Sequence, residues 1–470
     1  MNDLMQKSAV ETAALVRAGD ISPLELMEET LRRIEAVNPA LNAFVALNPE
    51  KSLEEARRKT EDLAAGRDIG PLAGLPLGVK DLEDAAGWPT TFGSVPFKDN
   101  IARVDSLQVA RLKQAGAIVI GKTNTPEFGF TGFTKNLLFG TTRNPWDLEK
   151  TPGGSSGGAA AAVSGRLTAL ATGSDIGGSI RIPASYSGCF GLKPSFGRIP
   201  FGPGALISLG KAAVFGPLTR TVRDAALYLD LTAGYHPRDP DSLPPAGLSF
   251  ETELDHFPRK LRIAYSPDLG YARVAREVAD LCADAVRAFS DLGHEVELWT
   301  DGLTDVAAGW AVLVNMELYS WVHRDFQAMK GRMNRTLAAA LEMAGSYTLA
   351  DLITAQESRS LLNRELEGLF DRFDLLLTPT MPTTAFAAQG PPPAEIDGRP
   401  IPLLGAVAFT YPFNLSGHPA ASVRAGLTSQ GLPVGLQIVG PRHRDDLVLQ
   451  ASRAFEQARP WNDIWPELPS

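Results

Sequence analysis

The sequence predicts an α/β layered fold, and three observations carry that prediction. Short apolar runs of strand length, at 117–121 and 374–377, are set among longer stretches of helical period. A strand–helix–strand unit is legible at 261–265, 271–292 and 295–299, with Gly293 ending the helix. Strands and helices alternate throughout the chain, and no tandem repeat of fixed period interrupts them.

Taken in order, the N-terminal part reads helical. Ser22-Pro23-Leu24-Glu25 has capping-box spacing with proline at the first helical position. Leu24, Met27, Leu31 and Ile34 recur at three- and four-residue steps as a core-facing stripe, and Asn38-Pro39 is expected to stop the helix. A second helix over 49–65 is charged and belongs on the surface. Leu77 to Val79 read as a short buried strand ending at Lys80; a lysine in such a place is ordinarily solvated. The run 117–121 is a clearer buried strand, preceded by a helix ending near Gly116. Residues 127–139 are loop-like and aromatic, carrying Phe128, Phe130, Phe133 and Phe139. They form either hydrophobic core or the wall of an apolar pocket.

Further along, 188–216 is rich in Gly and Pro and reads as irregular loops, followed by a short helix at 221–233 and a connector at 236–245. Residues 304–367 are mainly helical, and 374–377 is a strand leading into Thr378-Pro379-Thr380. A Pro/Gly-rich loop at 390–402, strands at 421–424 and 434–439, and a helix over 446–458 complete the chain.

Composition narrows the function classes. The chain of 470 residues is 44% hydrophobic and 21% charged, an ordinary soluble balance with ample material for a large core. A net charge of −9 speaks against broad nucleic-acid or anionic-membrane binding. No apolar run is long enough to span a bilayer, and MNDLMQKS lacks a signal-peptide core, so a cytoplasmic location is expected. Two cysteines, Cys189 and Cys282, are too few for a disulfide framework or a thiolate zinc site.

The chain is organised around residues 151–181, TPGGSSGGAAAAVSGRLTALATGSDIGGSIR. Two glycine-serine turns, 153–158 and 177–179, flank an Ala-rich run, 159–170, that suits a tightly packed helix. Such turns can leave backbone N–H groups facing a ligand, and a serine in each puts a hydroxyl beside them, as acyl-transfer chemistry needs. A flexible linker and a phosphate-binding loop are the competing readings. The apolar insert argues against the first, and the absence of a Gly-Lys-Ser/Thr ending argues against the second.

Together, Gly78-Val79-Lys80, Pro152-Gly-Gly-Ser155-Ser-Gly-Gly158 and Gly173-Ser-Asp-Ile-Gly-Gly-Ser179-Ile-Arg181 resemble the amidase signature family. Lys80 and Ser155 stand 75 positions apart, Ser155 and Ser179 24, and the resemblance runs nearly continuously over 141–194. It implies a Ser-Ser-Lys hydrolase of amide C–N bonds, with Ser179 as nucleophile, Ser155 as bridging serine and Lys80 as base. The backbone N–H groups of Ile176, Gly177, Gly178 and Ser179 would hold the oxyanion. Ser156, Ser174, Asp175 and Arg181 would be supporting residues, with turn chemistry as the alternative role of all four. Phe128 and Phe130 are the candidate pocket wall. The chemistry is coherent: an amide is a poor electrophile with a poor leaving group, so the nucleophile needs a base and the nitrogen a proton. None of the six histidines precedes position 236, which disfavours a local Ser-His pair; His418 is read as a loop cap and buried Cys189 as packing.

The resemblance further implies an α/β/α fold around a mixed sheet of about eleven strands, and one domain over 1–470. Its parts are N-terminal helices (1–65), a catalytic core (66–235), a variable cap (236–370) and a return to the core (371–470). No cofactor or metal is implied, since backbone donors stabilise the charge. The expected partner is a small-molecule amide, with no nucleic acid or membrane and a homodimer as the candidate assembly. A relative in the family is the glutaminase subunit of the tRNA-dependent amidotransferase. Where that subunit carries polar determinants, this chain reads Ile207-Ser-Leu-Gly-Lys-Ala-Ala-Val-Phe215, which favours a free-standing amidase acting on a neutral, partly hydrophobic amide. A soluble fatty-amide hydrolase and a catalytically dead scaffold are the remaining alternatives.

Overall fold

The structure, a computed structural model, describes residues 4–202, 210–258 and 260–468. Residues 207–209 of the apolar segment cited above lie outside the described residues.

The architecture is a central eleven-stranded mixed sheet. In chain order its strands are β1 (Phe44–Leu47), β2 (Pro76–Lys80), β3 (Ile118–Thr123), β4 (Leu170–Asp175), β5 (Phe190–Lys193), β6 (Val214–Thr219), β7 (Arg262–Tyr265), β8 (Glu295–Leu298), β9 (Leu375–Pro379), β10 (Ala420–Leu427) and β11 (Pro433–Val439). They lie side by side as β1-β3-β2-β4-β6-β5-β10-β11-β9-β7-β8. Edge strand β1 runs antiparallel to β3; β3, β2 and β4 are mutually parallel beside it, β9, β7 and β8 are mutually parallel at the other end, and neighbours between these groups pair antiparallel.

Strand alternation shows why helices must cover both faces. On β3, Val119 joins one buried cluster while Ile118 and Ile120 join another; on β9, Leu375 and Leu377 face one cluster and Leu376 another. Successive side chains of a strand point to opposite faces, so both faces of this sheet are apolar and a three-layer arrangement follows.

Most predicted elements stand near their predicted places. Helices α1 (Ala9–Ala18) and α2 (Pro23–Leu41) each begin with a capping box, from Ser8 with Glu11 and from Ser22 with Glu25. α2 does not stop at Asn38-Pro39 but runs on to Leu41. Asn38 fastens this last turn to β1, its Oδ1 accepting from Ala43 N and Phe44 N at 2.9 and 2.8 Å, and a proline so near the end forfeits little. The stripe of α2 is deepest at Leu26, Met27, Ile34, Val37 and Leu41, while Leu24 and Leu31 are half-buried. Helix α3 (Pro49–Ala64) buries only Ser52 and Ala56, a surface helix as its charge requires. α4 (Leu107–Gln114) leads into β3.

Three readings are corrected. The Ala-rich helix, α5 (Gly157–Ser164), ends before Gly165, and Leu170 opens β4 instead. The stretch 188–216 is not loop throughout: β5 follows α6 (Arg181–Ser187), and β6 begins at Val214 before α7 (Val222–Thr232). Their Gly, Pro and Lys residues hid these strands, Pro217 being a residue that rarely enters a sheet interior. Nor is 236–370 a cap throughout: β7, α8 (Arg276–Asp291) and β8 extend the central sheet as a parallel crossover unit. After these come α9 (Ala307–Val322), α10 (Phe326–Met329), α11 (Arg335–Ala344) and α12 (Leu349–Phe370). The chain closes through α13 (Tyr411–Leu415) and α14 (Asp445–Ala458).

Among the described residues no helix is long and apolar enough to cross a membrane.

Candidate active site

Parallel neighbours β2 and β4 end side by side, and their C-terminal ends build the site, as open α/β sheets commonly do. Lys80 is the last residue of β2 and is fully buried, against the ordinary expectation for a strand-end lysine. Its backbone N–H donates to Thr172 Oγ1 of β4 at 3.0 Å, which fixes its height along the sheet. Its Nζ lies 2.8 Å from Ser155 Oγ, 2.8 Å from Ser156 Oγ and 3.0 Å from Ser174 Oγ. Among the described residues no carboxylate touches it, and burial pulls it down from the ordinary lysine value to about 7, against the opposing fields of Glu83 and Asp175.

Ser155 and Ser156 stand at the start of α5, and the Gly154–Ser155 peptide is cis. Ser156 occupies the N-cap position without capping: its hydroxyl turns to Lys80 and to the Ser174 carbonyl, at 3.3 Å. Ser156 N–H donates to the Ser179 carbonyl at 3.1 Å, docking the two serine turns on each other. Ser179 is 7% exposed, the most open of the three serines, with Ser155 at 2% and Ser156 at 0%. Among the described residues its hydroxyl makes no hydrogen bond.

The turn from 176 to 180 is held rigidly. Asp175 Oδ1 accepts from Gly178 N at 2.7 Å and Oδ2 from Ile180 N at 3.1 Å. Arg181 grips the same carboxylate through Nε and Nη2, both at 3.0 Å, and both side chains are wholly buried. Burial alone would raise Asp175; Arg181, aided by Lys193 and Asn414, reverses that and holds it well below the usual carboxylate range. Thr410 Oγ1 donates to Gly177 O at 2.6 Å and Trp310 Nε1 to Ile176 O at 2.8 Å. Both glycines are required: a Cβ on Gly177 would stand 2.3 Å from the Trp310 ring, and Gly178, at φ +123°, would put one 2.4 Å from Thr410 Oγ1.

Of the four N–H groups expected to face an oxyanion, one already has a partner. Gly178 N–H is engaged by Asp175, leaving the N–H groups of Ile176, Gly177 and Ser179 without hydrogen-bond partners among the described residues. Phe128 and Phe130 flank Gly129, where a Cβ would lie 3.1 Å from Ser155 Oγ. Phe128 is buried, stacked on Phe92 at 5.6 Å between ring centroids, with Phe130 half-buried against the same cluster. That cluster is built mainly by α9 to α11 and reaches the 176–180 turn through Ile176 and Trp310.

The remaining candidates fall away from the chemistry. His418 bonds Ser416 at 2.9 Å and stacks on Phe370. Cys189 is buried in the main core, its thiol pushed up to about 12 by burial. Sequence reading missed the outer brace: Arg181 donates through Nη1 to Gln437 Oε1 at 2.7 Å and through Nη2 to Asn414 Oδ1 at 2.6 Å. A polar Gln437 inside the apolar strand 434–439 was the one available signal; Asn414, Thr410 and Trp310 gave none.

The amidase family profile matches residues 25–449, nearly the whole of this architecture. The chain belongs to the amidase family. Enzymes of this family hydrolyse amide C–N bonds through a serine-based acyl-enzyme, and this amidase is a hydrolase of that kind. It is 39% identical to an acylamidase of Rhodococcus erythropolis over 98% of this chain and 97% of that one. It is also 35% identical to a glutamyl-tRNA(Gln) amidotransferase subunit from a Cyanothece strain, over 95% and 97% respectively. Among solved structures, a bacterial aryl acylamidase of the amidase signature family superposes with a TM-score of 0.94 at 35% identity, covering 98% of each chain. A 6-aminohexanoate cyclic dimer hydrolase gives 0.88 at 32%, over 98% and 99%.

Proposed function

We propose that this amidase is a free-standing, cytoplasmic enzyme that cleaves small neutral acylamides through Ser179, with Ser155 as proton bridge and Lys80 as base. The observation that carries this reading is the sealed contact of Lys80 with three serine hydroxyls and, among the described residues, no carboxylate. A free amine has two N–H donors and one lone pair. The proton of Ser156 is directed to Ser174 O, so Ser156 Oγ accepts one N–H of Lys80 and Ser174 Oγ the other, and the Lys80 lone pair is left to receive the proton of Ser155.

In the forward step Ser179 Oγ forms a bond to the carbonyl carbon while its proton passes to Ser155 and that of Ser155 to Lys80. The carbonyl oxygen becomes an oxyanion held by the N–H groups of Ile176, Gly177 and Ser179; removing one such donor costs about 3–4 kcal/mol in comparable hydrolases. The C–N bond then breaks as the proton returns through Ser155 to the leaving nitrogen, giving the acyl-enzyme. Water deacylates it by the same route in reverse. Asp175 and Arg181 hold the turn, while Ser174 orients the Lys80 amine.

Substrate class follows from the apolar cluster of Phe128, Phe130, Ile176 and Trp310 beside the turn, which favours an aromatic or hydrophobic group over a glutamine side chain. The acylamidase names of the relative and the neighbouring structure support the same choice. The test is hydrolysis of aryl and alkyl acylamides by the purified chain alone, compared with glutamine. Release of the amine with no other protein added is expected. Glutaminase activity that needs partner subunits, with no acylamide turnover, would overturn the reading.

A further inference from the structure

Below Lys80, away from the serines, lies a buried polar cluster that the relay does not use. Glu83 sits in the turn after β2 and is 1% exposed, its N–H donating to Lys80 O at 2.9 Å. Its Oε2 accepts from Nε2 of Gln108, a fully buried residue of α4, at 2.7 Å. The second oxygen of each group is orphaned: Glu83 Oε1 and Gln108 Oε1 have no hydrogen-bond partner among the described residues. The Tyr228 hydroxyl of α7, buried nearby, is also unpartnered and so donates to neither oxygen. Two acceptor oxygens left bare in a dry interior are costly, more so when one belongs to a carboxylate.

One proton removes both faults. We propose that Glu83 and Gln108 form a carboxylic acid–amide pair, with Gln108 Nε2–H donating to Glu83 Oε2 and Glu83 Oε1–H donating to Gln108 Oε1. Glu83 is thereby a positioning residue that keeps Lys80 a free amine. The balance is simple: an N–H bond of the Lys80 ammonium breaks, an O–H bond of Glu83 forms, and two buried opposite charges become two neutral groups. As an anion, Glu83 would hold Lys80 protonated and useless as a base; as an acid it exerts no such pull. The direction of both shifts agrees, since burial lowers Lys80 and raises Glu83. The other groups facing Glu83 do not replace the missing donor: the Thr172 hydroxyl of β4 pulls the carboxyl downward but makes no hydrogen bond to Oε1. The Lys122 ammonium of β3 is directed to the Glu83 backbone carbonyl and to Thr90 Oγ1, and Asp81 and Asp84 of the same turn are themselves acidic.

This inference rests on Lys80 being the base, and the test separates the two. An infrared difference spectrum of the full-length enzyme, wild type minus Glu83→Gln at neutral pH, should contain the C=O band of a protonated carboxylic acid that shifts in heavy water. Glu83→Gln, which keeps both hydrogen bonds of the pair, should retain kcat/KM within about threefold, with its acid limb unmoved. Glu83→Ala, which leaves Gln108 unpaired, should lose far more activity. In Gln108→Leu the band should persist at higher frequency, a check that does not need the Glu83 variant to fold. Absence of the band, or an acid limb that moves down by about one pH unit or more in Glu83→Gln, as loss of a nearby anion demands, would overturn the pair. A band that is present while Lys80→Ala keeps full activity would instead sink Lys80 as base and with it the positioning role.

Discussion

Replacing Asp175 by Asn tests the brace of the proposed oxyanion turn while keeping side-chain volume nearly constant. The carboxylate accepts from Gly178 N, Arg181 Nη2 and Asn414 Nδ2 on Oδ1, and from Ile180 N, Arg181 N and Arg181 Nε on Oδ2. An amide offers one acceptor oxygen, so whichever way it sits, three donors confront its NH2 group. The Arg181 guanidinium also loses its counter-charge in a site with no solvent. Breaking one side of a fully buried pair costs about 3–5 kcal/mol. Releasing Gly178 loosens the turn carrying the three free N–H groups, and displacement of a single oxyanion donor costs about 10²–10³ in kcat. Denaturant unfolding and steady-state kinetics should register both losses, with kcat falling more than KM rises. The pH dependence has a definite sign. The folded carboxyl lies below its unfolded value of about 4, so the stabilisation is complete above that pH and drains away as the pH falls. Wild-type and variant stabilities should therefore converge in acid. A variant with wild-type stability and kcat would refute the reasoning.

Other consequences are more direct. The acid limb of kcat/KM should rise through about pH 7 as Lys80 becomes a free amine, and a profile flat from about pH 5 to about pH 9 would contradict that. Gly177→Ala would drive a methyl into the Trp310 ring and should cost about 1–3 kcal/mol of stability with a marked loss of kcat, partly recovered on trimming Trp310 to Leu; no effect would mean the turn is looser than described. Cys189→Ala should keep kcat, and alkylating reagents should leave the native enzyme active, because the thiol is sealed and pushed up to about 12; inactivation by them would give Cys189 a role denied to it here.

The chemical groups were legible because they lie in contiguous turns whose glycines and serines have few other uses. Lys80, Ser155, Ser156 and Ser174 do come together, within 3.0 Å of one nitrogen. What supports them was illegible for a physical reason: Gln437 and Asn414 reach Arg181 from 256 and 233 positions away, a pairing that only sheet topology produces. The engagement of Gly178 N–H by Asp175 was likewise invisible, since a Gly-Gly-Ser turn does not announce which of its amides are already taken. Apolar strands such as β3 and β9 were read correctly from hydrophobicity alone. β5 and β6 were not, because FGLK and VFGPLT break the strand pattern, and Lys193, buried in the sheet, is the kind of residue assigned to a surface loop. Glu83 passed unnoticed because an acidic residue two places beyond an Asp reads as surface charge.

The proposed mechanism requires Ser179 to act through Ser155 and Lys80. The most direct measurement is covalent labelling of the purified protein by a serine-reactive fluorophosphonate, with the adduct located by peptide mass spectrometry, in wild type, Lys80→Ala and Ser155→Ala. A single adduct on Ser179, formed rapidly in wild type and far more slowly in both variants, is the predicted result. An adduct on another serine, or labelling of Ser179 at an unchanged rate when Lys80 is removed, would contradict it.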